Sequence, residues 1–263
     1  MILQNLVFPK IGICTEEKLY FNELKGDGFF NYESNCLQLK SGEKVQFNTY
    51  FNSLLADRWK KYTNLTDVYL KLKGAGEGIV KIYRSSSFNG LELIKSQKIS
   101  LTEAGVDIQI FSKAAEIYGI IYFIFEAQTS TWIFGGNFHT TSEASQPIAL
   151  GIVITTFKRE PYVHRNMKSL ESLLFDKIPD ENLHVFIIDN GQTLPKSQNL
   201  RITIIPNKNY GGAGGFGRGM LEIYKGKKYN YVVFCDDDAV YEPEAFLRLF
   251  NFLSLAKSPE LCV

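Results

Sequence analysis

From Ala149 onward, continuous apolar runs alternate with apolar residues at helical spacing, and this alternation constrains the fold of the 263-residue chain more than any other feature. Ala149 to Thr156 is a near-continuous apolar run, the pattern of a strand covered on both faces. Val163, Met167, Leu170 and Leu174 then recur at helical spacing. His184 to Ile188 reads as a second strand, ended by Asp189-Asn190-Gly191, and Ile202 to Ile205 as a third, halted by Pro206. Phe216, Met220, Ile223 and Tyr224 mark a helix opened by glycines, and Tyr231 to Phe234 a fourth, buried strand. Phe246, Leu249, Phe250 and Leu253 give a last helix, entered at Pro243. Repeating strand–helix units predict a mainly parallel sheet with helices on both faces. In such sheets ligands bind beyond the carboxyl ends of the strands.

Residues 1–147 carry a different rhythm. Val68, Leu70 and Leu72 alternate with Tyr69, Lys71 and Lys73, the period of a half-buried strand. Val80 and Ile82 repeat the pattern beyond Gly74–Gly78, which predicts a hairpin with its turn at those glycines. Tyr118 to Phe125 reads as a strand buried on both faces, and Thr131 to Thr141 as another. Only Phe51–Lys61 has the look of a helix. Short strands with frequent turn signals predict an all-β sandwich or jelly roll over residues 1–147, followed by an α/β domain over residues 148–263. Hydrophobic residues make up 45% of the chain and charged residues 22%, enough for two cores. The net charge of +1 gives no electrostatic reason to expect a nucleic-acid partner. Cys14, Cys36, Cys235 and Cys262 form no C-x-x-C pair, which argues against a thiolate zinc site. The first residues do not read as a secretory signal and no apolar run reaches a bilayer-spanning length, so the expected location is cytoplasmic.

The chemistry concentrates at the predicted carboxyl ends. Asp236, Asp237 and Asp238 follow an apolar strand, where adjacent carboxylates repel one another. Strand alternation predicts Asp236 and Asp238 on one side and Asp237 on the other. Two oxygen ligands on one side suit Mn²⁺ or Mg²⁺ shared with phosphate oxygens, and a cation there would neutralise a diphosphate leaving group. The plain alternative is a solvated acidic turn. Glycines from Gly211 to Gly219 open a predicted helix, whose backbone N–H groups can approach an anion at the positive end of the helix dipole. Gly212, Gly214 and Gly217 also fit G-x-G-x-x-G, with Asp236 downstream, the dinucleotide fingerprint. Pro206–Tyr210 intervenes where that fingerprint demands a tight turn, the loop is not in the first strand–helix unit, and the downstream acid is a triplet; all three count against it. Arg159, just past the strand ending at Thr156, suits a phosphate or a base, or is an ordinary surface arginine. Asp189 suits a nucleobase or ribose, or merely an Asp-Asn-Gly turn. Glu242 and Glu244 read as structural groups in the first turn of the last helix. His164 and His184 read as packing or surface residues; His139 and Trp132 read the same way, with contact to a sugar as their alternative.

Thr155-Thr156-Phe157-Lys158-Arg159, Ile188-Asp189-Asn190-Gly191, Asn209-Tyr210-Gly211-Gly212-Ala213-Gly214-Gly215 and Asp236-Asp237-Asp238, in that order, resemble glycosyltransferase family 2 with the GT-A fold. The resemblance is greatest to bacterial galactofuranosyltransferases whose polymerising members carry an N-terminal β-sandwich. It implies an inverting, metal-dependent hexosyltransferase acting on UDP-galactofuranose and a cell-surface or glycolipid acceptor, at the inner face of the cell membrane. By resemblance, the donor site comprises Thr156, Arg159, Asp189, Asn209, Gly211, Gly212, Gly214, Asp236 and Asp237, and the metal ligands are Asp236 and Asp238. In relatives the catalytic base, a metal-binding histidine and most of the acceptor site follow the acidic triplet. The resemblance therefore implies a base beyond Val263 and a shortened, inactive form of the enzyme. A rhamnosyltransferase using dTDP-rhamnose and a carbohydrate-binding module without transferase activity stand as alternatives, and peripheral membrane association and homo-oligomerisation stay open.

Overall fold

The computed structural model describes residues 1–87 and 89–263. The chain divides into two compact units, one of Met1–Gln146 with Asn251–Val263 and one of Pro147–Phe250.

Apart from one short helix, two 3-10 turns and the last residues of the final helix, the described residues of the first unit are built on strands. It contains β1 (Ile2–Asn5), β2 (Asn22–Lys25), β3 (Phe29–Asn31), β4 (Cys36–Leu39), β5 (Lys44–Gln46), β6 (Leu54–Leu55) and α1 (Ala56–Tyr62). It continues with β7 (Val68–Ser86), β8 (Gly90–Leu101), β9 (Val106–Phe111), β10 (Ile120–Ala127) and β11 (Thr131–His139). Every pairing is antiparallel, in the order β2-β5-β10-β7-β11-β4-β3, with β1 on β11, β6 on β10, and β8 and β9 on β7.

The expected hairpin at Gly74–Gly78 is absent; the two alternating runs are one 19-residue strand, β7. Its first part pairs with β11 and β9 (Leu70 opposite Phe138 and Ile108), and its second with β10 and β8 (Ile82 opposite Phe123). The glycines mark the crossing from one set of partners to the other. A Cβ at Gly74 would stand 2.1 Å from the Trp132 carbonyl oxygen, and one at Gly78 would stand 2.3 Å from the Phe125 ring. Gly76 has φ +105°, a conformation that side chains resist. Glycine in a strand therefore signals close approach here, where the sequence suggested a turn. Leu70, Leu72, Val80 and Ile82 on β7 join Phe47, Phe123, Phe125 and Phe138 in one buried core, with Phe47 stacked on Phe123 at 4.3 Å. Residues 251–263, which the periodicity assigned to the second domain, belong to this unit. Leu255 is fully buried in its core, Phe252 meets the Trp59 ring at 5.0 Å, and Asn64 N–H donates to the Leu255 carbonyl at 2.9 Å.

The second unit is a parallel sheet with helices: β12 (Leu150–Thr156), α2 (Glu160–Leu173), β13 (Leu183–Asp189), β14 (Ile202–Pro206), α3 (Gly211–Gly226), β15 (Tyr231–Asp236) and the start of α4 (Pro243–Ser254). The strand order is β14-β13-β12-β15. Ile152, Val153 and Ile154 on β12 and Val185, Ile187 and Ile188 on β13 are fully buried, as continuous apolar runs require in the middle of a parallel sheet. β15, expected to be buried, lies at an edge of the described sheet, with Val232 and Phe234 36% and 44% exposed. α3 packs on β12 through missing side chains. A Cβ at Gly215 would meet Thr155 Cγ2 at 2.1 Å, one at Gly219 would meet Val153 Cγ1 at 2.3 Å, and one at Gly151 would meet Ile223 Cδ1 at 2.6 Å. Positions 215, 219 and 223 lie one above another on a helix, so this stripe brings α3 close to the strand. The register sets Thr156 opposite Asp189, and Thr155 opposite Asp236. The carboxyl ends of three strands thus reach one sheet edge together.

Candidate functional site

The acidic triplet does not follow strand alternation. β15 ends at Asp236, and Asp237 and Asp238 lie in the turn that follows. Once the chain leaves the extended conformation, the period of two no longer decides which way a side chain faces. Asp237 is buried, and its carboxylate accepts the Thr156 hydroxyl at 2.7 Å. Asp238 is exposed and accepts a hydrogen bond from the Arg159 guanidinium, whose Nη1 also lies 3.5 Å from Asp237 Oδ1. Asp237 and Asp238, predicted to face opposite ways, therefore share one cation. Asp236 is exposed and takes part in no ion pair among the described residues.

The backbone of this turn is held as firmly as its side chains. The Tyr241 hydroxyl donates to the Asp236 carbonyl at 2.7 Å. The Asn166 amide donates to the carbonyls of Asp237 and Ala239, both at 2.9 Å, and Arg165 Nη2 donates to the Ala239 carbonyl at 2.9 Å. Neutral and cationic donors thus offset the repulsion among three neighbouring carboxylates. The hydrogen bond from Asp238, then the charges of Asp237 and Asp238, hold the Arg159 guanidinium above its ordinary pKa. Burial, and then the nearby Asp236 charge, push the Cys235 thiol up to about 12, so it carries its proton at neutral pH. Burial also raises the Tyr241 hydroxyl, which keeps its proton and remains a donor.

Asp189 is 1% exposed, and its carboxylate accepts the backbone N–H groups of Gly191 (2.9 Å), Thr193 (2.7 Å) and Leu194 (2.8 Å). The carboxylate thereby folds the loop after β13. The Asn207 amide donates to Asn190 Oδ1 at 2.8 Å, and the Asn190 amide donates to the Gly211 carbonyl at 3.2 Å, so this loop is tied to the start of α3. Asn209 Oδ1 accepts the Gly211 N–H at 3.0 Å, an Asx turn that leads into the helix. The glycines divide by role. Gly211 has φ +73°, Gly214 makes room for the Tyr210 side chain (a Cβ would stand 2.4 Å from Tyr210 Cβ), and Gly212 faces open space. Gly211, Gly212 and Ala213 are exposed at the N-terminus of a 16-residue helix, where N–H groups without intrahelical partners favour an anion.

Thr156, Arg159, Asp237 and Asp238 are in direct contact, with Asp189 one strand away and Asn209, Gly211 and Gly212 linked to it through Asn190 and Asn207. The sequence reading missed Arg165, Asn166, Asn190 and Asn207. Asn166 had a signal: it lies on the stripe of Val163 and Leu170, a polar residue at a core position, and is 1% exposed. Glu244 accepts from Arg248 at 3.2 Å and Glu242 from the Glu244 N–H at 3.2 Å, both local to α4. In the first unit His139 pairs with Asp107 at 2.7 Å and stacks on Tyr69, while Trp132 is 39% exposed.

Among the described residues no three His, Cys, Asp or Glu side chains are grouped to hold a metal ion, so the protein alone offers no closed cage. Asp236 and Asp238 are exposed hard-oxygen donors, and a guanidinium already occupies Asp238 as a cation. That set fits a divalent ion that takes its remaining ligands from phosphate and water. Among the described residues no helix is long and apolar enough to cross a membrane.

Comparison with known proteins gives two family matches. The family described as Galactofuranosyltransferase 2 N-terminal matches residues 3–141, and that described as Glycosyl transferase family 2 matches residues 151–256. Galactofuranosyltransferase GlfT2 of Mycobacterium tuberculosis (strain ATCC 25618 / H37Rv) is 27% identical over 277 aligned positions, covering 99% of this chain and 43% of the relative. Galactofuranosyltransferase GlfT2 of Mycolicibacterium smegmatis (strain ATCC 700084 / mc(2)155) is 26% identical, covering 99% and 42%. The chain thus spans less than half the length of these curated relatives.

Proposed function

The chain belongs to the family described as Galactofuranosyltransferase 2 N-terminal, and from that premise we propose that the residues from 148 on, apart from the segment 251–263 that joins the first unit, form the nucleotide-binding part of a GT-A glycosyltransferase domain, behind a β-sandwich of residues 1–147. The reaction proposed is inverting transfer of galactofuranose from UDP-galactofuranose to a cell-surface or lipid-linked glycan, at the cytoplasmic side of the membrane. The observation that carries this reading is the meeting of Thr156, Arg159, Asp237 and Asp238 at the carboxyl edge of a parallel sheet.

In such a displacement an acceptor hydroxyl gives its proton to a general base and attacks the anomeric carbon, the bond from that carbon to the diphosphate breaks, and negative charge collects on the departing diphosphate. Mn²⁺ or Mg²⁺, when bound, neutralises part of that charge, and Asp236 and Asp238 are the residues that would hold it. Arg159 presents a planar fork of donors suited to phosphate oxygens. The exposed N–H groups of Gly212 and its neighbours add the positive end of α3. Thr156, Asn166, Arg165 and Tyr241 fix the acidic turn in advance, so its carboxylates need little rearrangement as charge develops. Asp189 and Asn209 act indirectly, by shaping the two loops that flank the donor.

Calorimetric titration of the full chain with UDP, UDP-galactofuranose and dTDP, with and without Mn²⁺, tests this reading. Mn²⁺-dependent UDP binding is expected, abolished in Asp236→Ala and Asp238→Ala. Preference for dTDP redirects the reading to a rhamnosyltransferase. Glycan binding indifferent to both substitutions, with no nucleotide bound, replaces it with a carbohydrate-binding module.

A further inference from the structure

We propose that Arg159 is an exchangeable counter-cation: its guanidinium occupies Asp238 until a diphosphate draws it away, so nucleotide and divalent cation bind with positive coupling. This rests on the donor-site reading above and adds to it an order of events and a residue that enforces the order.

Four basic or polar side chains from β12, α2 and its N-cap hold the acidic turn in ways that separate their roles. Asn166 and Arg165 bind backbone carbonyls, and Thr156 binds the buried carboxylate of Asp237. These contacts shape the turn and stay whatever else binds. Arg159 alone among them binds the exposed carboxylate of Asp238, and the two side chains are 47% and 51% exposed. An exposed ion pair of this kind is worth little net free energy, so it is easily traded for another. Arg159 stands at the N-cap of α2, where its carbonyl accepts the N–H groups of Tyr162 and Val163, so the backbone is anchored and only the side chain need swing.

A guanidinium and a divalent cation compete for the Asp238 carboxylate, and their charges repel at that distance. Without nucleotide, Arg159 therefore opposes the cation by competition and by charge. A diphosphate offers the same guanidinium two oxygens in the bidentate geometry that arginine favours. Once Arg159 turns to phosphate, Asp238 is free and the local charge becomes more negative, which draws the cation in. Linkage makes the effect mutual: the cation strengthens nucleotide binding by the same factor.

The test measures free Mn²⁺ by electron paramagnetic resonance and nucleotide binding by calorimetry, on the full chain and on Arg159→Gln and Arg159→Lys, with thermal unfolding as a check on folding. In the wild type, UDP is expected to raise Mn²⁺ affinity about 5- to 150-fold. In Arg159→Gln, Mn²⁺ alone binds several-fold more tightly than in the wild type, and the enhancement by UDP falls to the part that direct phosphate ligation of the ion supplies. Arg159→Lys keeps the competing charge without the fork, so its Mn²⁺ affinity stays low and its coupling is weak. Unchanged or weaker Mn²⁺ binding by a folded Arg159→Gln, or undiminished coupling, overturns the exchange while leaving the donor site standing. A wild type that binds neither ligand overturns both.

Discussion

The Thr156 hydroxyl donates to the Asp237 carboxylate at 2.7 Å, joining the last residue of β12 to the turn after β15, the strand beside it. Both residues are buried, 3% and 7% exposed, so this bond sets where the acidic turn starts. Thr156→Val keeps the shape and removes the donor. The expected cost is about 1–3 kcal/mol in urea unfolding, from a buried carboxylate oxygen left without a partner. UDP binding in the presence of Mn²⁺ should weaken in parallel; a variant with unchanged stability and affinity denies the bond any role.

Asn166→Leu is close to isosteric and fits the apolar stripe of α2, yet it strips the Asp237 carbonyl of its Asn166 donor and leaves the Ala239 carbonyl to Arg165. The unpaired Asp237 carbonyl should cost about 1–3 kcal/mol. The variant is expected to melt at lower temperature and to lose nucleotide affinity, although residue 166 has no predicted contact with the donor. Binding at the wild-type level would mean that the turn needs no support from α2.

Two glycines of α3 give opposite outcomes. Gly219→Ala sets a methyl group 2.3 Å from Val153 Cγ1 and should destabilise by about 1–3 kcal/mol, with Val153→Ala restoring part of the loss. A methyl group added at Gly217 would have no neighbour within 4 Å, so Gly217→Ala should stabilise by about 1 kcal/mol through helix propensity. Equal effects in chemical unfolding would contradict the packing described for α3 on β12.

His184, bonded to Thr203 at 2.8 Å and beside the rings of Phe186 and Tyr229, has its pKa lowered by burial and then by the charges of Lys228 and Arg201. The unfolded chain, with an ordinary value near ~6.5, binds this proton more readily than the folded one. The stabilisation is present above that value and is lost as pH falls through the folded value. Wild-type protein should therefore lose more stability between pH 7 and pH 5 than His184→Gln. Parallel pH profiles for the two would remove His184 from the account.

The succession of strands and helices after Ala149 was legible because buried parallel strands demand unbroken apolar runs, and amphipathic helices a stripe. The placing of Arg159 and the acidic triplet at one sheet edge followed from the same pattern. What was not legible depended on partners distant in sequence. Gly74, Gly76 and Gly78 look like a turn until Trp132 and Phe125 are seen crowding them. The alternation assigned to Asp236, Asp237 and Asp238 failed because nothing local marks where β15 stops. Asp189 could serve a ligand or its own loop, and its bonds to the Gly191, Thr193 and Leu194 amides exist only once the loop is folded. The last residues joined the first unit through Phe252 and Leu255, whose apolar character does not say which core they enter.

The uninterrupted run of β7 ties the fate of its two ends together. Four neighbouring strands take their register from it, so nicking the backbone near Gly76 would not release two independent half-modules. Each fragment would keep an orphaned set of hydrogen-bonding partners and an opened apolar interior. The N-terminal unit should accordingly be lost or kept as a whole, and splitting it for complementation studies is better attempted outside the long strand.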